Sequence, residues 1–260
     1  MTDTRPAAWP TGVARHVFDR IDSTNAQAMR LAPSLSGPAW IMARDQTAGR
    51  GRRGRTWVMP AGNFAATLVM RSPGQAQDAA RLGFIAGLAV HDALAAACGP
   101  AARLAIKWPN DVLLNGGKVS GILLEGLGGG GAAGVDLLAV GIGVNLAAAP
   151  GAGEVELGAL PPVSVASETG HAVSPDDFLD LLAPAFADWQ ATLARGGFAP
   201  IRAAWMARAA KLGQTITART GPRTRTGRFD GIDESGALVL TTAEGREVVP
   251  AADVYFAEGA

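Results

Sequence analysis

Gly49-Arg50-Gly51-Arg52-Arg53-Gly54-Arg55-Thr56-Trp57 is the stretch from which the fold and function of this chain can be worked out. Arginine binds carboxylate or phosphate oxygens through a planar fork of N–H donors. Glycine lets backbone N–H groups come close to the same anion, and an indole offers a flat apolar face. The stretch therefore predicts a loop that holds a molecule both anionic and aromatic, such as a nucleotide.

A solvated loop or a disordered nucleic-acid-binding tail is the alternative for a run rich in glycine and arginine. This run occurs once, between two apolar segments at residues 40–44 and 64–70 that are typical of strands. The chain has 23 basic and 23 acidic side chains, whereas a dedicated DNA- or RNA-binding domain is usually basic. Nucleic acid is therefore not the expected partner, although a single-strand nucleic-acid-binding module stays open as an alternative.

The composition predicts a folded protein with a sizeable core. Of its 260 residues, 48% are hydrophobic, which is enough for one large domain or for a large and a small one. The single cysteine, Cys98, excludes an internal disulfide framework. No apolar stretch reaches about 18 residues without interruption, and residues 1–11 lack the apolar segment of a signal peptide. We therefore expect a cytoplasmic protein without a membrane span.

Hydrophobic periodicity predicts an α+β fold. Ser23 or Thr24 would cap a short helix, and helices are predicted at 79–97, from Pro175 with a bend or break at Pro184, and from about Pro200 to Lys211. Strands are predicted at 40–44, 64–70, 104–108, 112–114, 119–125 and 137–144. From Gln214 onward, five short alternating segments are typical of a small β-barrel. The predicted domains are residues 1–212 and 213–260.

Five further segments, taken in order with the glycine/arginine run, resemble those of the biotin–protein ligases. They are Ser23-Thr24-Asn25, Gln46, Lys107-Trp108-Pro109-Asn110-Asp111, the segment from Lys118 to Glu125, and Gly141-Ile142-Gly143-Val144-Asn145. The resemblance covers residues 23–145 and, more loosely, a C-terminal SH3-like barrel. It implies a mixed sheet flanked by helices, like that of a class II synthetase. The implied reaction joins biotin to AMP with ATP, then transfers biotin to a lysine of the biotin carboxyl carrier protein of acetyl-CoA carboxylase.

The resemblance also implies which residues touch biotin. These would be Ser23, Thr24, Asn25, Gln46, Arg50, Gly51, Arg52, Lys118 and Gly121. Taken on their own, Ser23 and Thr24 are equally consistent with a plain helix cap. The two functions are compatible, because a cap places hydroxyl groups at the mouth of a pocket.

A second implied set serves ATP and the adenylate, namely Arg52, Arg53, Arg55, Trp57, Lys107, Asn110, Lys118 and Asn145. The chain has only three lysines, and two of them, Lys107 and Lys118, belong to these segments. The expected catalytic residues are Lys118, Arg52, Lys107 and Asp111, with Asp111 helping to position Mg²⁺ or the incoming amine. A tryptophan at position 57 could equally be an ordinary core residue, and Asn110-Asp111 an ordinary turn.

Two departures from the family limit what is carried over. Some relatives have an N-terminal DNA-binding domain, but only about twenty residues precede Ser23 here, so we expect no DNA binding. Some relatives also have a basic residue in the last strand where this chain has Ala257, which leaves the share of the barrel in ATP binding open. Lipoate or octanoyl transfer on a related fold is the other alternative, and the resemblance is compatible with a monomer or a homodimer.

Overall fold

The computed structural model describes residues 8–74, 76–127, 135–151, 154, 160–220 and 223–256. A seven-stranded mixed sheet forms the larger part. Its strands are β1 (Ala14–Ile21), β2 (Ala39–Gln46), β3 (Phe64–Gly74), β4 (Leu104–Lys107), β5 (Asp111–Leu114), β6 (Gly117–Leu127) and β7 (Val135–Val144). They are ordered β1-β2-β3-β7-β6-β5-β4. The pair β1–β2 is parallel and all other pairs are antiparallel.

Helices cover the two faces of this sheet unequally. The helices are α1 (Thr24–Leu31), α2 (Ala76–Cys98), α3 (Val165–Thr169), α4 (Pro175–Gly196) and α5 (Phe198–Ala207). One face packs on α2, α4 and α5 and contributes Trp40, Met42 and Leu68 to the main core. The other face carries a small cluster around Ile41 and Val69 under α1. Alternate residues of each strand supply the two cores, and most of the second face is left for a cavity.

The C-terminal part is a five-stranded antiparallel sheet. Its strands are β8 (Thr215–Thr220), β9 (Arg223–Ile232), β10 (Leu238–Thr242), β11 (Gly245–Val249) and β12 (Asp253–Phe256), in the order β11-β10-β9-β8-β12. It is docked on the larger part by buried polar contacts as well as apolar ones. The indole of Trp108 donates to the carbonyl of Gly236 at 3.1 Å, and Arg202 donates to the carbonyl of Ile232 at 2.6 Å. This docking places β12 beside the open face of the large sheet.

The predicted fold class, an α+β domain with a mixed sheet and a small C-terminal β-domain, is confirmed. Two elements were not predicted. The strand β1 is an edge strand in which half of the residues are polar and all are exposed or half-buried, so it lacks the apolar alternation that reveals a strand. The short helix α3 is recognisable only from its capping box, in which Ser164 and Ser167 bond each other's backbone N–H groups.

One detail of the helices, the end of α5, differs from the predictions, and two others refine them. Pro184 does not split α4, because it is buried in the core beside Leu182 and Phe186, where packing holds the helix together. The helix α5 ends at Ala207 rather than Lys211, because the next residues bond to the edge of β4 instead: Ile106 donates to the carbonyl of Arg208 at 2.7 Å. Ser23 occupies the N-cap position of α1 without a side-chain capping bond.

The helix α2 is long and apolar enough to cross a membrane by length and composition alone. Its large side chains, including Ile85, Leu88 and Leu94, are fully buried between the sheet and the other helices. Packing inside the protein therefore accounts for its apolar character. Ala257, at which the sequence departs from some relatives, lies outside the described residues.

Candidate active site

A cavity of about 600 Å³ lies on the open face of the large sheet. It is bounded by the start of α1, the loop of residues 49–57 (hereafter the arginine loop), the strands β5 to β7, and β12. Fifteen of the sixteen residues predicted from the sequence line it. They are Ser23, Thr24, Asn25, Gln46, Arg50, Gly51, Arg52, Arg55, Trp57, Lys107, Asn110, Asp111, Lys118, Gly121 and Asn145. The exception, Arg53, is paired with Asp253 on β12.

A row of residues across the sheet forms the centre of the cavity. Lys107 pairs with Asp111, Asp111 with Gly121, Gly121 with Gly143, and Gly143 with Ala65 in the registers of adjacent strands. Residues directly opposite one another in antiparallel strands have their side chains on the same face. The sheet thus places a lysine–aspartate pair at one end of the row and residues with little or no side chain in the middle, which leaves room for a ligand.

Asp111 holds two ammonium groups at the charged end of this row. Its Oδ1 lies 2.7 Å from Nζ of Lys118 and its Oδ2 lies 3.5 Å from Nζ of Lys107. Burial alone would raise the pKa of Asp111, but the charges of Lys118 and Lys107 outweigh that effect and lower it. Burial lowers the pKa of Lys107, an effect that the attraction of Asp111 opposes only in part. The cluster is therefore one carboxylate between two cations, and it presents net positive charge to the cavity.

The arginine loop folds back on itself over the cavity. Residues Arg50 and Thr56 form a β-bridge, the N–H of Gly51 donates to the carbonyl of Arg55 at 2.7 Å, and that of Trp57 to Gly49 at 2.9 Å. Arg53, with φ of 56°, makes the turn in the left-handed region.

The turn directs Arg52 inward. The guanidinium of Arg52 donates to Oδ1 of Asn110 at 3.2 Å, and burial lowers the pKa of Arg52. Asn110 in turn donates to the carbonyl of Ile122 at 2.7 Å. Arg52 is thereby held close to the lysine cluster.

Asp253, on the first position of β12, ties the arginine loop to the C-terminal sheet. Its Oδ2 accepts from Arg53 at 2.5 Å and from Arg55 at 2.8 Å, and its Oδ1 lies 3.8 Å from Arg52. The side chain of Asp253 is 12% exposed, against 44% for Arg53 and for Arg55. The sequence around Asp253 does not predict these ion pairs, because the arginine partners lie about two hundred positions earlier in the chain.

The start of α1 forms a connected polar floor. Gln46 accepts from the N–H of Thr24 at 2.7 Å and from its hydroxyl at 3.1 Å. Thr67 on β3 lies 2.9 Å from the hydroxyl oxygen of Thr24 and 2.5 Å from Oδ1 of Asn25. Both α1 residues are at most 5% exposed, and Thr67 is fully buried. Hydrogen bonds therefore hold Thr24, Asn25 and Gln46 in place, and Thr67 supports them as a residue that sequence analysis missed.

Three glycines, Gly121, Gly141 and Gly143, form a flat surface that we call the glycine floor. A Cβ on Gly143 would lie 2.4 Å from the indole of Trp57, and one on Gly141 would lie 2.2 Å from Oδ1 of Asn25. Trp57 therefore packs against bare backbone in the middle of the site. Of the two predicted roles for Trp57, this placement favours a wall of the cavity over an ordinary core residue.

The side-chain amide of Asn145 makes two contacts with other residues of the protein. Its Nδ2 donates to the carbonyl of Val163 at 3.1 Å, and its Oδ1 faces Nδ2 of Asn63 at 3.4 Å. Asn63 also bonds the backbone of residues 147 and 148. An amide has two donor and two acceptor positions, and these contacts use one of each.

The predicted Mg²⁺ site at Asp111 does not fit the geometry. Both carboxylate oxygens of Asp111 face lysine ammonium groups. Across the described ranges, no group of three or more His, Cys, Asp and Glu side chains could hold a metal ion. A divalent cation prefers several oxygen ligands, which these residues do not supply.

Matches to family models define the class of this protein. Residues 17–145 match the Biotin/lipoate A/B protein ligase family, and residues 211–257 match the Biotin protein ligase C terminal domain. A biotin–[acetyl-CoA-carboxylase] ligase of Paracoccus denitrificans is 69% identical over 91% of this chain and 98% of its own length. This chain belongs to the biotin protein ligase family, and it is an enzyme of that class.

More distant relatives agree with this assignment. The bifunctional ligase/repressor BirA of Bacillus subtilis is 32% identical over 91% of this chain and 72% of its own length. The biotin protein ligase of Aquifex aeolicus in complex with biotin and ATP has a TM-score of 0.75 at 24% identity, covering 93% of this chain and 97% of that one. That structural likeness concerns the fold. The relatives' names favour biotin ligation over lipoate transfer and over a nucleic-acid-binding module.

Proposed function

We propose that this chain activates biotin with ATP and transfers it to a lysine of a carrier domain. In the first step a carboxylate oxygen of biotin attacks the α-phosphorus, the bond to the β-phosphate oxygen breaks, and pyrophosphate leaves. In the second step the carrier amine attacks the carbonyl carbon of biotinyl-AMP, the bond to the phosphate oxygen breaks, and AMP leaves. The observation that carries the proposal is the convergence of Arg52, Lys107 and Lys118 on one cavity beside the polar floor of α1.

Biotin would lie along the glycine floor next to α1. Ser23, Thr24 and Gln46 offer hydroxyl and amide groups suited to its ureido ring, and bare backbone at Gly121 permits close approach. The carboxylate of biotin would then point toward Lys118 and the arginine loop, with Arg50, Gly51 and Arg52 closing over it. Asn25 lines the same floor, but its amide is bonded to other side chains, so we assign it to holding the floor in shape.

The phosphates of ATP would take the positive end of the cavity. Two carboxylate or phosphate groups that approach one another repel, and fixed cations in a partly buried site reduce that cost most strongly as charge gathers on the α-phosphate. Lys118 lies nearest the centre of the row and Lys107 further out, so we assign them to the reacting oxygens and to the leaving pyrophosphate respectively. Arg52 would span the two, and Arg55 with Arg53 would contribute from the rim.

Asp111 would serve by holding its two lysines in place. A carboxylate whose pKa is lowered in this way is a poor proton acceptor. It can still accept a hydrogen bond from the incoming amine and orient it toward the carbonyl. Mg²⁺ would arrive bound to the nucleotide phosphates, because the described side chains do not form a metal-binding site. None of the steps above depends on a metal ion held by the protein.

The adenine base would lie between Trp57 and Asn145, whose amide donor and acceptor positions suit a purine edge. The carrier that receives biotin would be the biotin carboxyl carrier protein of acetyl-CoA carboxylase, the enzyme named in the P. denitrificans relative. We place the boundary between the catalytic and C-terminal domains near residue 213, after the segment that bonds to β4. We expect the enzyme to act in the cytoplasm, without DNA or membrane binding, as a monomer or a homodimer.

The test is incubation of the full chain with biotin, ATP, Mg²⁺ and a purified carrier domain, followed by intact mass of the carrier. We expect a gain of one biotinyl group that requires ATP, and none when lipoate replaces biotin. The variant Lys118→Ala should lose this activity, whereas Arg195→Ala, a change at an exposed site in the last turn of α4, should keep it. ATP-dependent transfer of lipoate instead, or full activity of Lys118→Ala, would contradict the proposal.

A further inference from the structure

Glu125 on β6 stands behind the cavity rather than in its lining. A single oxygen of its carboxylate, Oε2, accepts from Nδ2 of Asn25 at 2.7 Å and from a guanidinium nitrogen of Arg50 at 3.2 Å. The side chain is 31% exposed. Glu125 is therefore a direct link between the start of α1 and the arginine loop, two parts of the site that come from distant segments of the chain.

The Asn25 end of this link has a defined direction. Asn25 packs its carbonyl against Gly141, where no Cβ could fit, and faces the hydroxyl of Thr67 at 2.5 Å. An amide oxygen can only accept and an amide nitrogen can only donate. With Thr67 at the oxygen and Glu125 at the nitrogen, the amide of Asn25 has one favourable orientation.

The Arg50 end is the more exposed one. Arg50 lies at the beginning of the arginine loop, its side chain is 48% exposed, and it forms the β-bridge with Thr56 that closes the loop on itself. An ion pair at this position is made when the loop lies over the cavity. The carboxylate that receives Arg50 is the same one that orients Asn25, so the two contacts share one group.

We propose that Glu125 is a positioning residue that couples closure of the arginine loop to the biotin floor, so that biotinyl-AMP is retained until the carrier arrives. The inference rests on the proposed function, since it concerns retention of its intermediate. Glu125 touches neither substrate and acts through Arg50 and Asn25. The negative charge of Glu125 attracts Arg50 of the arginine loop, whereas its carboxylate oxygen accepts the hydrogen bond from Asn25.

These two duties can be separated by substitution. Glu125→Gln keeps the size of the side chain and an oxygen for Asn25, but loses the charge that attracts Arg50. Thr67→Val keeps the shape of Thr67 and removes the hydroxyl from the other end of Asn25. We expect Glu125→Gln to release preformed biotinyl-AMP up to about fivefold faster, the effect of losing one ion pair between partly exposed side chains, with KM for biotin unchanged. We expect Thr67→Val to raise KM for biotin and leave the release rate unchanged.

The experiment measures release of biotinyl-AMP from preformed complex after a chase with excess biotin, in a double-mutant cycle of Glu125→Gln and Arg50→Gln. Non-additive effects, with the double variant no faster than the faster single one, are the expected result. Glu247→Gln is the matched control, since Glu247 is similarly exposed and pairs with Arg225 far from the cavity. Additive effects, or a wild-type release rate in Glu125→Gln, would overturn the inference. If the wild-type chain formed no biotinyl-AMP at all, it is the proposed function that would fail.

Discussion

Replacing Asp253 by asparagine should loosen the arginine loop without unfolding the protein. Asparagine keeps the size of the side chain and one acceptor oxygen, but removes the charge that faces three guanidinium groups. The residue lies on a strand of the C-terminal sheet and lines the cavity from that side, so the substitution leaves every residue of the large sheet unchanged. Its effect reports how strongly that small domain holds the loop.

The size of the effect follows from the geometry. Arg53 and Arg55 are each about half exposed, and ion pairs of that kind contribute roughly 0.2–1 kcal/mol each. The contact with Arg52 at 3.8 Å is too long for a hydrogen bond and adds less. The closed loop should therefore lose about 0.4–2 kcal/mol relative to the open one, a factor of about 2 to 30 in the equilibrium between them.

Amide hydrogen exchange across residues 49–57 measures that equilibrium directly. We expect wild-type protein to show partial protection without ligand and stronger protection with biotinyl-AMP. The Asp253→Asn variant should exchange about 2 to 30 times faster without ligand, following the same free-energy difference. Asp230→Asn is the control, because Asp230 is an aspartate of the same sheet that pairs with Arg228 away from the cavity.

Equal exchange in the two variants would refute this reasoning. It would mean that the backbone bonds within the loop, rather than the charge on β12, hold it closed. An increase spread over the whole C-terminal sheet would also count against it, because the substitution would then have damaged the domain rather than released the loop.

Three further substitutions test the charged row and the glycine floor. Lys118→Ala should lower biotinyl-AMP formation by about 100-fold or more, as removal of a fixed charge from a reacting centre does, with an unchanged thermal melting curve as the check on folding. Asp111→Asn should destabilise the fold by about 3–5 kcal/mol in chemical denaturation, because it leaves two lysines without their buried partner. In a pH–rate profile, wild-type adenylation should decline at a pH below 10.5, the ordinary lysine value, since burial lowers the pKa of Lys107. Asp111→Asn should decline at a still lower pH, because the attraction that raises this pKa is gone, and coincident profiles would disprove the pairing. Gly143→Ala should displace Trp57, whose indole lies 2.4 Å from the added Cβ, and raise KM for ATP; an unchanged KM would show that Trp57 does not border the nucleotide.

The parts of the fold that could be predicted are those with a local signature. The apolar run at residues 137–144 predicts a central strand, and the glycine/arginine run predicts a loop. Both predictions use only residues that are neighbours in the sequence. The cavity residues were predicted from the resemblance of ordered motifs to those of the biotin–protein ligases, and the structure brings fifteen of the sixteen to one cavity. By contrast, the polar and apolar residues of β1 do not alternate regularly, so the sequence pattern does not predict this strand.

What could not be predicted depends on contacts across the chain. Asp253 resembles any aspartate at the start of a strand, and only the docking of the C-terminal sheet brings it to Arg53 and Arg55. Thr67 sits inside an apolar strand, where a threonine would pass as an ordinary β-branched residue. The pairing of Lys107 and Lys118 with Asp111 is likewise a property of strand register, which sequence spacing alone does not determine.

The placement of β12 has a consequence for biosynthesis. This strand supplies Asp253 and Phe256 to the cavity, and it follows every other part of the cavity along the chain. A polypeptide emerging from the ribosome can therefore build the large sheet, the glycine floor and the lysine cluster before the wall that confines the reactive anhydride exists. Until the strand pairs with β8, a nascent chain would leave any adenylate it made open to water, so retention of the intermediate would begin only once that pairing has formed.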